Sequence, residues 1–210
     1  DAELGNKEAL ENIVHLFASH TNEERPLGII SFKVLYFSNK QMQVNALPHK
    51  KFDEYKDLSF FYTYYFAGGA HAIKREVLDK VGFYPEDFFY GMEEYDLSYR
   101  VLGAGYSIAY SDSIVMLHKE SPLGRKPKKE KLRMMWVNKS KVAYRYLPKK
   151  YFYSTAFMWS LEYLKQTGWH LPGFFKGWKQ VLSIPRAEKR TTVSADTLQY
   201  LAKTKARLWY

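Results

Sequence analysis

The hydrophobic pattern near the N-terminus predicts a helix. Apolar side chains recur there at intervals of three and four residues, which is the spacing of one helical face. The residues of this face are Leu10, Ile13, Val14 and Phe17. Asn6 precedes them and is a suitable N-cap. We therefore expect a helix that begins after Asn6 and carries these four residues on one face.

Apolar runs farther along the chain predict strands, because they are rich in β-branched and aromatic residues. The expected strands cover 26–37, 58–66, 106–110 and 114–118. Ser111-Asp112-Ser113 is expected to form the turn between the last two. A short helix is expected over 73–81. Alternation of strands and helices indicates an α/β domain, which we place at residues 1–120.

Residues 121–210 have a helical pattern and form a predicted basic, aromatic-rich extension. A helix is expected from Leu132 to Pro148, with Asn138, Lys139 and Arg145 on its outer face. Further helices are expected over 151–163, within 169–186 and over 194–209. Bulky aromatic residues lie beside Lys and Arg, as in helices at a membrane interface; intramolecular packing is the alternative. These aromatic residues are Trp159, Trp169, Phe174, Phe175 and Trp178.

The charge of the chain is concentrated in one segment. The 210 residues carry a net charge of +10 and are enough to bury a core. Twelve Lys and Arg residues against two acids lie between Lys119 and Lys150, which accounts for the whole excess. The absence of Cys excludes disulfides, thiolate metal sites and a cysteine nucleophile. No apolar run approaches the ~20 residues of a spanning helix, and no signal peptide is visible.

Acidic residues concentrate in the aromatic stretch from Phe83 to Arg100. Five of the 22 acidic residues lie there: Glu86, Asp87, Glu93, Glu94 and Asp96. Gly91 interrupts the stretch, and helical spacing follows it, so the last three acids are expected on a first helical turn. An ordinary helix start is one interpretation, since the helix dipole favours acids there. Carboxylates with raised pKa values in an aromatic setting are the functional interpretation.

The sequence around this stretch resembles the acceptor-side half of family 2 glycosyltransferases with the GT-A fold, in particular rhamnosyltransferase-like members. The resemblance runs in order from Phe66 to His118. Its motifs are Gly68-Gly69-Ala70, Lys74-Arg75-Glu76-Val77, Val81-Gly82-Phe83 and Phe88 through Arg100. One departure concerns the usual Glu-Asp pair of the family, which is Glu93-Glu94 here. The second carboxylate is kept on an arm that is one methylene longer.

The resemblance implies a GT-A-type mixed sheet flanked by helices, with a nucleotide-binding βαβ region upstream of Asp1. It implies a metal-dependent, inverting hexosyl- or deoxyhexosyltransferase with Glu94 as catalytic base. Asp1 would be the last aspartate of an Asp-x-Asp-type motif and would hold Mg²⁺ or Mn²⁺ together with His118. The implied substrate-binding residues are Gly68, Gly69, Tyr90, Glu93 and Asp96. Taken alone, the glycine pair also fits a simple turn, and His118 fits a structural role.

The expected partners are a nucleotide-sugar donor and a glycan or lipid-linked acceptor in cell-surface polysaccharide assembly. We expect a cytoplasmic protein held peripherally on the anionic inner face of the cell membrane; an oligomer is compatible with the sequence. One alternative is an anionic-polymer or nucleic-acid binding protein that uses residues 119–150 with Trp136, Tyr144 and Tyr146. Without a nucleic-acid fold motif, no nucleic-acid partner is expected. The other alternative is a non-catalytic membrane-associated assembly protein.

Overall fold

The structure is a computed structural model and describes residues 2–21, 24–119 and 127–209. It divides into two compact units. The sheet unit comprises Asp1–Phe83, Leu97–Leu123 and Gln199–Ala206. The helical unit comprises Tyr84–Asp96, Gly124–Leu198 and Arg207–Tyr210. This grouping differs from a linear division after residue 120, because it places the acidic stretch with the C-terminal helices.

The sheet unit is built on a mixed sheet whose centre is the parallel pair of its two longest strands. The described strands are β1 (Ala2–Leu4), β2 (Leu27–Tyr36), β3 (Phe60–Thr63), β4 (His71–Ile73) and β5 (Ser107–His118). Their order is β1-β5-β2-β4, and β3 also pairs with β5. Only the β2–β5 pairing is parallel among these strands. The mostly apolar residues of β2 match its burial between other elements, and the first five residues of β5 are buried as well.

Helices flank this sheet and form the C-terminal extension. The described α-helices are α1 (Ala9–Ser19), α2 (Phe52–Tyr55), α3 (Arg75–Val81), α4 (Glu93–Gly103), α5 (Lys128–Tyr146), α6 (Lys149–Thr167), α7 (Leu171–Ala187) and α8 (Ala195–Lys203). Prolines precede α5 and α6, where a missing N–H costs nothing, and left-handed Gly168 ends α6. The predicted α/β class, with a mixed sheet, flanking helices and a helical extension, is confirmed.

The helical unit is organised around a fully buried tryptophan. Trp136 of α5 has no exposed surface, and its Nε1–H donates to the carbonyl of Ala156 on α6 at 2.9 Å. Helix α7 also packs on α5. A Cβ built on Gly177 would lie 2.1 Å from Cζ3 of Trp136, so the close approach of α7 requires glycine at this position.

Two predictions for the sheet unit are wrong. The turn at Ser111-Asp112-Ser113 is absent, because β5 runs on as one strand with a register shift opposite β2. Asn6 does not cap α1; its amide group instead donates to Ser113 O and accepts from Val115 N, each at 3.0 Å. Of the four residues on the predicted face of α1, Ile13 and Phe17 pack on the core, whereas Leu10 and Val14 are 67% and 69% exposed.

The tail aromatics divide into packed and exposed groups, so the packing alternative describes some of the five and leaves others at the surface. Phe174 stacks on Trp136 at 6.0 Å between ring centroids, and Trp178 meets the same ring edge-on at 5.5 Å. Lys139 covers the ring of Trp159 at 4.7 Å. Only Trp169 and Phe175 of the predicted set are largely exposed. No described helix is long and apolar enough to cross a bilayer.

Candidate functional site

The glycine loop after β3 lies beside the carboxyl ends of the central parallel strands. In open α/β sheets, ligands bind in the crevice outside these ends. A cavity of about 300 Å³ occupies this place, and Gly68, Gly69 and His118 all line it. A Cβ built on Gly69 would meet no atom within 4 Å, so the glycine leaves open space rather than relieving a clash. The structure thus brings three of the predicted site residues to one cavity.

Hydrogen bonds to the sheet hold this loop in place. Oγ of the fully buried Ser31 on β2 accepts from Ala67 N at 3.0 Å. The N–H of Phe32 donates to Ala70 O at 2.9 Å, and Nδ1 of His71 lies 2.9 Å from Ala67 O. Burial lowers the pKa of His71, so this ring is neutral near pH 7. The loop backbone is therefore fixed before any ligand arrives.

His118 is oriented by a neighbouring amide at the same cavity. Its Nδ1 lies 3.0 Å from Oε1 of Gln43, so a proton on Nδ1 leaves Nε2 as a lone-pair donor. Ala2, which follows Asp1 in the sequence, pairs with His118 across β1 and β5. Asp1 itself lies outside the described residues. Of the two predicted metal ligands, only His118 can therefore be placed. Within the described ranges, no group of three or more His, Asp or Glu side chains is placed to hold a metal.

An unusual turn in the acidic stretch directly precedes α4. Gly91 and Met92 both have positive φ angles, +73° and +77°, and the second is rare for a residue with a side chain. Nδ2 of Asn138 on α5 donates to Tyr90 O at 3.1 Å and to Gly91 O at 3.0 Å. These bonds fix the turn that directly precedes Glu93. Such strain persists only where the surroundings enforce it, and it clusters at functional sites.

Glu93 and Glu94 form a pair of neighbouring carboxylates on the first turn of α4. Burial, and then the charge of Glu93, raises the pKa of Glu94 to about 7. Oε2 of Glu93 is buried without a hydrogen-bond partner among the described residues. Burial and the same two carboxylates also raise the pKa of Tyr84, which keeps its phenol protonated. A carboxylate with a pKa near neutrality is suited to accept a proton at physiological pH.

Asp96 lies two residues farther along and has a different environment. Its side chain is 2% exposed, and Oδ1 accepts from Arg145 Nη1 at 2.8 Å and from Tyr146 OH at 2.9 Å. Arg145 also pairs with Glu188 and Asp87, at 2.6 and 2.9 Å. This network anchors the start of α4 to α5. The geometry therefore gives Asp96 a positioning role, and its predicted contact with substrate stays a prediction.

The aromatic residues that precede the Glu93–Glu94 pair differ in exposure. Phe89 is 75% exposed and Tyr90 is 36% exposed, whereas Phe88 is buried under Arg145 and Lys141. Nζ of Lys131 lies 5.2 Å from the centroid of the Tyr90 ring. Phe89 and Tyr90 thus expose ring surface to solvent, and the implied contact of Tyr90 with substrate stays a prediction.

Sequence reasoning missed the side chains of α5 that position the acidic turn. Asn138 and Arg145 were expected on the outer face of that helix, but Asn138 is 6% exposed and the Arg145 side chain is 16% exposed. An Asn and an Arg at buried helical positions need partners, and these partners lie in the acidic stretch. The helical spacing could have indicated this, because Asn138 lies four residues before Val142 and Arg145 lies beside Tyr146, and both Val142 and Tyr146 are buried.

Comparisons with known proteins give a distant structural match and no sequence match. No protein-family model and no curated protein matches the chain. Among solved structures, the chain is similar to a crystal structure of GalNAc-T7 with UDP, GalNAc and Mn²⁺, at 15% sequence identity and a TM-score of 0.46. The match covers 73% of this chain, which spans 32% of the length of that one. The functional assignment therefore rests on the residues and geometry described above.

Proposed function

We propose that this chain is the acceptor-side part of a family 2, GT-A-fold glycosyltransferase. It transfers a hexosyl or deoxyhexosyl group from a nucleotide sugar to a hydroxyl of a glycan or lipid-linked glycan, in assembly of a cell-surface polysaccharide. The observation that carries the proposal is Glu94, whose pKa burial and Glu93 raise to about 7. It lies in the motif whose order from Phe66 to His118 resembles that family.

In the proposed reaction, Glu94 acts as general base. Its ionised carboxylate takes the proton of the acceptor hydroxyl while that oxygen attacks the anomeric carbon. The bond from that carbon to the diphosphate oxygen breaks in the same step, and the nucleoside diphosphate leaves with the electron pair. A single displacement of this kind inverts the anomeric configuration. Burial and then the charge of Glu93 keep the pKa of Glu94 high, and Phe89 and Tyr90 expose ring faces to which sugars would bind.

The cavity lined by Gly68, Gly69 and His118 is the proposed donor side. Exposed backbone at the glycine pair allows close approach of a diphosphate, since no Cβ intervenes. His118, with its free Nε2, and Asp1 would hold Mg²⁺ or Mn²⁺, which when bound neutralises charge on the leaving diphosphate. The side chain of Gln43 sets the orientation of the His118 ring.

Release of nucleoside diphosphate by the full-length protein tests the proposal. The protein is incubated with a panel of nucleotide sugars and a glycan or lipid-linked acceptor, and release is measured with and without divalent metal. We expect acceptor-dependent release that Glu94→Gln abolishes. Glu86→Gln is the matched control, because Glu86 is an exposed acid of the same stretch. Equal acceptor-dependent release by wild type and Glu94→Gln would remove Glu94 from the role of general base. No release with any donor would support a non-catalytic assembly protein instead.

The structure does not favour the nucleic-acid alternative. Trp136 is fully buried and Tyr146 is 7% exposed, so neither ring is available to stack on a base. Arg190 covers the ring of Tyr144 at 4.9 Å. Lys141 and Arg145 are engaged by Asp87 and Glu188. The three aromatic residues that this alternative needs, and two of its basic residues, are therefore engaged within the helical unit.

A further inference from the structure

The solvent faces of α6 and α7 carry large apolar side chains. On α6 these recur every four residues, and on α7 they lie opposite the face that packs on α5. The exposed residues are Tyr153, Phe157, Leu161, Leu171, Phe175 and Leu182, each 45% to 69% exposed. The buried positions of α7 are Gly173, Gly177, Val181 and Ile184. Helix α7 is thus apolar on two opposite sides, which packing within its own bundle does not explain.

The turn that joins the two helices exposes a tryptophan in a strained conformation. Trp169 is 72% exposed and has a φ of +61°, directly after Gly168 at +63°. Its backbone N–H closes the end of α6 by donating to Leu164 O at 2.9 Å. Glycine or asparagine would satisfy this backbone better, and a bulky residue there is an outlier. The indole is therefore not required by the turn, and its exposure points to a contact outside the chain.

Exposed basic residues accompany these apolar positions along α6 and α7. Residues 149–187 contain six Lys and Arg against a single acid, Glu162. All six basic side chains are exposed: Lys149, Lys150, Lys165, Lys176, Lys179 and Arg186. Exposed apolar patches larger than single residues mark interaction sites. An apolar centre with a basic rim complements an anionic surface, whereas a second copy of the same face would meet like charge.

We propose that the surface formed by the outward faces of α6 and α7 and by Trp169 docks this protein on an anionic lipid bilayer. Trp169, Phe175 and Leu182 insert at the boundary between headgroups and acyl chains, and the surrounding Lys and Arg bind anionic headgroups. Attachment through these side chains would be peripheral and reversible, since each inserted side chain contributes little alone. The proposal does not depend on glycosyl transfer, but it would bring the protein to the surface where a lipid-linked acceptor resides.

Co-sedimentation of the full-length protein with liposomes tests the proposal. Vesicles of phosphatidylcholine alone are compared with vesicles that contain phosphatidylglycerol, at low and at high salt. We expect binding at least tenfold stronger to the anionic vesicles, and a steep decrease as salt screens the basic rim. Equal binding to both vesicles, or binding that salt does not change, would overturn the proposal.

Trp169→Gly separates lipid contact from folding, because glycine suits the positive φ at that position. This variant should unfold at the same denaturant concentration as wild type, or a higher one, and yet lose most of its binding. Phe175→Ser with Leu182→Ser should also lose binding. Leu10→Ser with Val14→Ser is the matched control, since these residues of α1 are equally exposed. Undiminished lipid binding by the Phe175→Ser, Leu182→Ser variant would overturn the proposal. A wild-type dimer that the same variant disrupts would assign the face to a protein contact instead.

Discussion

Two groups of carboxylates in the acidic stretch have opposite environments. Asp87 and Asp96 lie against Arg145, and Lys141 adds a second cation at Asp87. Burial tends to raise the pKa of Asp87, but the hydrogen bond from Lys141 and the charges of Arg145 and Lys141 outweigh it and lower the pKa. Glu94 instead has burial and the like charge of Glu93, and its pKa rises to about 7.

This difference separates structural from chemical roles within one short segment. A carboxylate with cationic partners stays ionised over the physiological range and stabilises the fold. A carboxylate whose neighbours oppose ionisation is costly to keep charged, and it is able to exchange a proton near pH 7. The cations of α5 thus reach the acids on either side of the Glu93–Glu94 pair and fix the helix start that presents it.

Loss of Arg145 should have the largest effect on stability. Arg145→Met leaves Asp96 with Tyr146 and leaves Glu188 with Lys141, so buried negative charge is no longer balanced. Breaking a buried ion pair by removing one partner costs about 3–5 kcal/mol of unfolding free energy. Urea unfolding followed by circular dichroism measures this loss. Lys149→Met, which removes an exposed charge, is the control; equal midpoints for both variants would contradict the structural role of the network.

Loss of Glu94 should have the largest effect on catalysis. Glu94→Gln keeps the size of the side chain and removes the proton acceptor, so kcat should fall by ~10²-fold or more. Donor binding should be nearly unchanged, because the proposed donor side uses other residues. The kcat of the wild type should rise with pH and level off above about 7, as Glu94 ionises. Turnover by Glu94→Gln within a few-fold of wild type would refute the assignment.

The same substitution should increase stability at high pH. The folded-state pKa of Glu94 is raised from 4.5 to about 7, so the folded state binds the proton more tightly than the unfolded state. The wild type therefore loses stability as pH rises through this interval, and Gln does not titrate. Thermal unfolding should show Glu94→Gln more stable than wild type at pH 8, with the advantage decreasing toward pH 4. An advantage that is independent of pH would indicate a packing effect instead.

Much of the local structure follows from the sequence. The strands at 26–37 and 58–66 and the helix that starts at Glu93 are present, each a few residues shorter than or shifted from the expected bounds. The expected turn at Ser111-Asp112-Ser113 is absent, although its residues favour turns, because β5 continues through them as one strand. The local preference survives only as an irregularity: the register with β2 shifts between Ser111 and Val115.

The site is predictable in composition but not in its supporting contacts. The acidic stretch and the glycine pair are visible as motifs, since each is contiguous in sequence. Arg145 bonds Asp96 across 49 residues of sequence, and Asn138 bonds Tyr90 across 48. Helical periodicity gives the face of α5 on which they lie, but a single sequence contains no information on which segment packs against that face. The positive φ of Met92 also could not be predicted, because methionine rarely adopts this backbone conformation.

Asn138 is expected to act on catalysis through the turn that it holds. Asn138→Ala leaves two carbonyl groups without their donor, at a cost of about 1–3 kcal/mol, so kcat should fall roughly tenfold through misplaced Glu94. Met92→Gly removes the strain at φ +77° and should partly restore kcat in the Asn138→Ala background. Steady-state kinetics on the two single variants and the double variant measure this coupling. If the effect of Met92→Gly on kcat is the same with and without Asn138, Asn138 does not act through the turn.

Glu93→Gln should have the smallest effect and the most specific one. It removes the like charge beside Glu94 but leaves burial, which is the larger cause of the raised pKa. The ascending limb of the kcat–pH profile should therefore shift to lower pH by a fraction of a unit, without returning to the ordinary range of a glutamate. The plateau of kcat at high pH should stay within a few-fold of wild type if Glu93 tunes its neighbour and does not itself take the proton.

Glu86→Gln, which alters an exposed acid of the same stretch, is the control for Glu93→Gln and should leave the kcat–pH profile unchanged. A shift to higher pH, or a loss of the plateau as large as that of Glu94→Gln, would exchange the roles of the two glutamates.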